Sequence, residues 1–264
     1  MSSEGRFVHL ELLSTDLGRA VPFLTALLGL EVVAEDEPVP LLALAPRAVE
    51  EPVIGLAGVV AGPDVRSHWV VHTAVAAPRE LADRAAEAGG VVLMSPADVA
   101  ELPEGLSEDD VGAPPEVTDT CLIADPHGAI LALVPLEAGL EAPPEAEGAP
   151  AWYELLTSDV EAAVTFYAEL GWEIEPAEVR AGEGRAARVR AGGEVLGLIR
   201  ALPPGAPMPP LWLPFLRVSD LDAALGRVRG LGGYHFEDPA PVQGGRRAIV
   251  IEPSGAPVGL WQPA

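Results

Sequence analysis

The sequence of 264 residues contains no lysine and no asparagine, a single cysteine and five histidines. Without lysine there is no Schiff-base nucleophile and no lysine general base. Cys121 alone excludes an intramolecular disulfide and a cysteine-rich zinc site. Positive charge is scarce: 16 arginines face 40 carboxylates, for a formal net charge of −24. A surface of that sign cannot replace the counterions of a phosphate backbone or an anionic lipid face, so neither nucleic acid nor membrane is an expected partner. No apolar run approaches the length of a membrane span. The opening MSSEGRFVHL lacks the basic and apolar segments of a secretory signal, so a cytoplasmic location is expected.

What is present is a repeat. Apolar residues make up 49% of the chain, as in a globular protein. VHLELLSTDLGRAVPFLTALLGL (8–30) returns as AWYELLTSDVEAAVTFYAELGW (151–172) at a shift of 143, placing Glu11 on Glu154, Asp16 on Asp159 and Phe23 on Phe166. At the same shift SHWVVHTAVAAPRELADRAAEAGG (67–90) matches PLWLPFLRVSDLDAALGRVRGLGG (210–233), with Trp69 on Trp212 and Gly89-Gly90 on Gly232-Gly233. DPHGA (125–129) then matches EPSGA (252–256) at a shift of 127. The first half therefore holds 16 extra residues, assigned to the proline- and acid-rich stretch 95–117, which is expected to be a mobile surface loop or a flap. Acid is uneven too, with 26 carboxylates against 6 arginines in residues 1–148 and 14 against 10 beyond.

Each half divides again. Residues 7–13 alternate with a period of two, as a half-buried strand does, and carry His9, Glu11 and Leu13 on one face. A helix follows with Ser14, Thr15 or Asp16 as its N-cap, Gly29 past its end and Pro22 inside it as a potential kink. Three short strands complete the quarter. All four quarters read as βαβββ, so the fold expected is α+β, with domains at 5–136 and 150–263 joined by a linker at 137–149.

These modules, the strand–Asp–helix–Phe-Tyr–Gly-Trp opening of 151–172 and the closing DPHGA turn resemble the vicinal oxygen chelate superfamily of glyoxalases, bleomycin-resistance proteins and extradiol dioxygenases. The likeness is greatest to tandem two-domain glyoxalase-like proteins. It implies two tandem glyoxalase-like domains, each built from two βαβββ modules that form a half-open mixed-sheet barrel. It leaves open which modules pair. In metal-dependent members each module offers a His or similar residue on its first strand and a Glu on its last. His9 and His72 fall on two first-strand positions, whereas Gly55 and Ala132 occupy the matching last-strand ones. The second half carries Trp152, Gly197, Phe215 and Gly259 at its four.

Gly and Ala offer no donor to a dication, so no cofactor is expected; a divalent metal held by His9 and His72 is the alternative. Glu11 joins those two histidines as a candidate catalytic group. Strand parity turns Trp152, Glu154, Phe215 and Arg217 inward in the second half as a candidate ligand-binding set, with Glu154 and Arg217 pairing when no ligand is present. The function expected is binding of a small organic molecule, neutral or cationic, in sequestration, resistance or metal-free catalysis, by a monomer or homodimer. A divalent-metal-dependent lyase, isomerase or dioxygenase is the other reading. His68, His127 and His235 are expected on the surface or in loops, and Cys121 in the core.

Overall fold

A computed structural model describes residues 4–264 apart from 37–40, 48–51, 64, 97–118, 178–183, 204, 207 and 243. The first quarter consists of β1 (Phe7–Ser14), α1 (Leu17–Leu28), β2 (Leu30–Asp36), β3 (Leu41–Pro46) and β4 (Ile54–Gly58). The second has β5 (His68–Val75), α2 (Pro78–Glu87), β6 (Val91–Met94), β7 (Cys121–Ala124) and β8 (Ile130–Pro135). The third comprises β9 (Pro150–Thr157), α3 (Val160–Glu169), β10 (Glu173–Ala177), β11 (Ala186–Ala191) and β12 (Glu194–Ala201). The fourth holds β13 (Leu211–Arg217), α4 (Leu221–Val228), β14 (Tyr234–Val242), β15 (Gly245–Ile251) and β16 (Pro257–Pro263). The βαβββ reading holds in every quarter. The expected flap over 95–117 lies almost entirely outside the described residues.

Three helices start at an aspartate. The side chains of Asp16, Asp159 and Asp220 accept bonds from Arg19 N, Glu161 N and Ala223 N, satisfying donors that a helix start leaves orphaned. The second helix has Ala77 at its cap and relies on Pro78, whose missing N–H costs nothing at that position. Gly29 closes α1 at φ 69°, and α1 runs through Pro22 for its full 12 residues.

The strands form two eight-stranded mixed sheets, β2-β3-β4-β1-β5-β8-β7-β6 and β10-β11-β12-β9-β13-β16-β15-β14. Hydrogen bonding thus joins modules one with two, and three with four. By compactness the chain divides differently. One unit is Met1–Val8, His72–Ala142 and Leu155–Leu211; the other is His9–Val71, Pro143–Glu154 and Trp212–Ala264.

The repeat explains how each unit is packed. In the second unit Arg227 donates to Ala26 O and Leu27 O, filling the open carbonyls at the end of α1. In the first, Arg84 does the same to Glu169 O at the end of α3. A Cβ added to Gly233 would lie 2.6 Å from Ile251 O and 2.8 Å from the Phe23 ring. One added to Gly90 would lie 2.7 Å from Ala124 O and 2.9 Å from the Phe166 ring. The second glycine of each Gly-Gly pair is therefore required by close approach.

The linker expected at 137–149 is not all free chain. Residues 136–138 make a 3-10 turn. At the other end Gly148 N donates to Arg217 O, Arg217 N donates to Ala149 O, and the Glu147 carboxylate accepts from Ser219 N. The polypeptide before β9 is pinned along the end of β13.

Gly233→Ala and Gly90→Ala should each destabilise the protein by about 1–3 kcal/mol, as overpacking does. Urea unfolding of each variant measures it. An unchanged midpoint in both would contradict the packing described.

Candidate functional site

The inner face of the second sheet is defined by strand alternation. On β15, Arg246 and Arg247 are neighbours and must point to opposite sides. Arg246 reaches the helix side, where both its terminal nitrogens bond the Asp222 carboxylate on α4 at 3.0 and 3.1 Å. That guanidinium holds Asp222 below the usual carboxylate range. Arg247 therefore faces the side away from the helices.

There it meets two acids. Arg247 Nε lies 2.8 Å from Glu154 Oε1, and its Nη1 donates to Glu237 Oε2 at 2.7 Å. Glu154, on β9, has no exposed surface at all. Glu237 reaches the group because β14 is irregular on both sides of it, and it sits opposite Ile249, which shares a face with Arg247. Two carboxylates on one guanidinium leave this buried group with a formal charge of −1.

Aromatic rings enclose it. The Arg247 guanidinium lies 5.6 Å from the centre of the Phe215 ring. The Trp152 indole N–H is directed at Glu154 Oε1 at 3.4 Å. Phe215 pairs across β13 and β16 with Gly259, and a Cβ on Gly259 would fall 2.3 Å from its ring, so that ring occupies the space a side chain would need. Two residues further on, the partners are Arg217 and Trp261, with the guanidinium 5.0 Å from the indole centroid. Arg217 Nε and Trp261 Nε1 are buried donors without a hydrogen-bond partner among the described residues.

Of the expected binding set, Trp152, Glu154 and Phe215 are grouped around Arg247. The expected pairing of Glu154 with Arg217 is replaced by Glu154 with Arg247, because Arg217 is taken up by Trp261. Sequence reading missed Arg247 and Glu237. The signal for Arg247 was its parity, two residues before Ile249 in an apolar strand. For Glu237 an irregular strand hides any such signal.

In the first sheet, His9 and Glu11 share one face of β1, above Gly55. A Cβ there would lie 3.1 Å from His9 Nε2 and 3.7 Å from Glu11 Cγ. His9 and Glu11 belong to the second compact unit and His72, on β5, to the first. Cys121 is buried. His127 sits in the DPHG turn with Nδ1 3.0 Å from Ser158 Oγ; His68 and His235 lie on β5 and β14, each bonding a main-chain carbonyl.

Comparison with known proteins gives this architecture its relatives. Residues 149–260 match the model of the Glyoxalase/Bleomycin resistance protein/Dioxygenase superfamily. The chain belongs to that superfamily. A "Putative glyoxylase CFP32" of Mycobacterium bovis is 38% identical over 120 residues, covering 44% of this chain and 46% of that protein. The matched part thus spans about half the length of that relative. The "Anthracycline biosynthesis protein DnrV" of Streptomyces peucetius is 30% identical over 207 residues, 71% of this chain and 63% of that protein. Among solved structures, the Mn(II)-bound glyoxalase from Novosphingobium aromaticivorans aligns with a TM-score of 0.65 at 16% identity, covering 99% of this chain and 83% of that one. The halotolerant catechol dioxygenase BphC aligns at 0.64 and 17%, covering 99% and 88%.

Metal-bound relatives raise the question of donors. Val59 N donates to Ser14 O in the first module and Leu202 N to Thr157 O in the third, so both partners move by 143. The residue equivalent to Gly55 is therefore Leu198, one place beyond the Gly197 expected from sequence. With Trp152, Phe215 and Gly259, that makes four positions with no carboxylate, imidazole or thiolate. Among the described residues, no three His, Cys, Asp or Glu side chains come together as a metal group. Trp, Leu, Phe and Gly at those four positions offer no donor to a divalent ion.

Removing one partner of a buried ion pair strands the other charge. Arg247→Met should cost about 3–5 kcal/mol. Glu154→Leu combined with Arg247→Met should recover part of that, because the fully buried carboxylate then leaves with its cation and only Glu237, which is partly exposed, keeps its charge. Urea unfolding of both variants checks this; a double variant no better than the single would contradict it.

Proposed function

We propose that the protein binds a small organic molecule on the inner face of its second sheet, without a metal ion. The observation that carries this is the buried Glu154–Arg247–Glu237 group set among Trp152 and Phe215. A few convergent polar groups in an apolar, aromatic setting are what small-ligand sites consist of. Phe215 is itself fully covered, so it shapes the floor. Trp261, Arg217, Arg247 and Glu237 retain some exposure and are the contact groups. Arg217 Nε and Trp261 Nε1 are donors for a carbonyl or phenol oxygen. With Arg217 beside them the two carboxylates and two guanidinia balance, and the net charge of −24 favours a molecule that is neutral or cationic overall. A flat polycyclic aromatic compound meets these requirements, and the relative named for anthracycline biosynthesis supports that class. Sequestration, resistance and metal-free catalysis are all compatible with such a site.

A second reading is favoured by His9 and Glu11, which share the space over Gly55 on the first sheet, and by the metal-bound structural relatives. In it, the protein is a divalent-metal-dependent lyase, isomerase or dioxygenase. His9 would be an imidazole donor and Glu11 an acid or base, and a bound divalent ion would supply Lewis-acid chemistry there.

Thermal unfolding with chelator present separates the two. A planar anthracycline at a hundredfold excess over its Kd should stabilise the protein by about 2.7 kcal/mol. Arg217→Met should weaken that binding about tenfold by removing an oxygen's donor. Stabilisation that appears only on adding Mn²⁺, Fe²⁺, Ni²⁺ or Zn²⁺ would hand the case to the metalloenzyme.

A further inference from the structure

The first compact unit contains a cavity of about 550 Å³. This volume is in the range of small-molecule sites. The N-terminal residues before β1, the start of α2 and the turn between α3 and β10 enclose it. Its wall is apolar: Val75, Leu81, Leu170 and Trp172 all line it.

The backbone holds that wall in place. Gly5 N donates to Ala74 O at 2.7 Å, and the Trp172 indole N–H donates to Gly5 O at 2.9 Å. Gly5 has φ 72°, and a Cβ there would lie 3.1 Å from Ala191 Cβ, so glycine is needed both for the conformation and for the approach. Trp172 is only 6% exposed; its ring is a fixed wall and its one donor is satisfied.

The rim decides the chemistry of an occupant. Glu4, Glu80 and Glu173 line it, against Arg84 and Arg190. Both guanidinia have backbone work: Arg84 donates to Glu169 O and Arg190 to Gly193 O, with Arg190 Nε also 3.9 Å from Glu175. Glu4 accepts from Ala76 N at 3.1 Å, which ties it to the chain before α2. Glu80 and Glu173 are exposed carboxylates at the mouth. An anion entering here would meet three carboxylates and two guanidinia already engaged. A cation would meet three carboxylates, in a protein of net charge −24.

We propose that this cavity is a second binding site, separate from the inner face of the second sheet, for an organic cation with a flat apolar body. The body lies against Trp172 and Leu81, and the ammonium sits between Glu80 and Glu173. This does not depend on the function proposed above, since no residue is shared.

The probe is tryptamine, with indole-3-propionate as an anion of similar body, titrated calorimetrically into the full chain at pH 7. Tryptamine should bind at least tenfold more tightly than the anion. The Glu80→Gln/Glu173→Gln double variant should lose about tenfold in affinity, its two changes lying on the surface. Ala76→Trp, which fills the cavity from an exposed position on its rim, should abolish binding. Arg217→Met should leave tryptamine affinity unchanged. Equal binding of both probes, indifference to the rim and filling variants, or loss of tryptamine binding in Arg217→Met would each overturn the proposal.

Discussion

A carboxylate with no access to water must keep a cation within hydrogen-bond reach, and Glu154 keeps Arg247 at 2.8 Å. Much of the second sheet is arranged by that requirement. Strand β15 must present Arg247 inward, which sends Arg246 outward to Asp222 on α4. Strand β14 departs from regular pairing around Glu237, which engages the second edge of the guanidinium. Gly259 must lack a side chain so that the Phe215 ring can cover the group. A buried ion pair is rarely a net source of stability compared with a well-packed apolar pair. On the function proposed above, the group serves a ligand rather than the fold.

The four modules keep their scaffold and vary their inner faces. The helix side retains Phe23 with Phe166, Gly90 with Gly233 and Arg84 with Arg227, each pair in the same structural role. On the inner side, the positions of His9 and His72 become Trp152 and Phe215 in the second half. Packing between helices tolerates little change, because a single methyl at either glycine would clash. The inner faces have diverged in chemistry, as expected when function resides in sites carried by a fold.

The fold was legible in the sequence because the repeat is. Capping aspartates, Gly-Gly pairs and strand alternation recur at a constant shift, and each has a local physical cause. Glu154 was legible for the same reason, as the counterpart of Glu11. Arg247 was not, since its place beside Glu154 depends on which residues two distant strands bring opposite one another. A one-residue slip separated Gly197 from Leu198, and only the backbone bond of Leu202 to Thr157 corrects it. Which modules join was open as well. Hydrogen bonds follow the two halves of the sequence, while compactness groups the outer quarters and the inner quarters; local periodicity carries neither fact.

The five tryptophans offer a direct reading of where a ligand binds. Indole N–H resonances of protein labelled with ¹⁵N at tryptophan, assigned by single Trp→Phe changes, can be followed as a planar anthracycline is added with chelator present. Trp261 and Trp152 should shift and saturate together. Trp69 and Trp212, buried elsewhere in the second compact unit, should stay in place. Resonances of Trp261 and Trp152 that remain fixed until Zn²⁺ is supplied would contradict a metal-free site on the inner face of the second sheet.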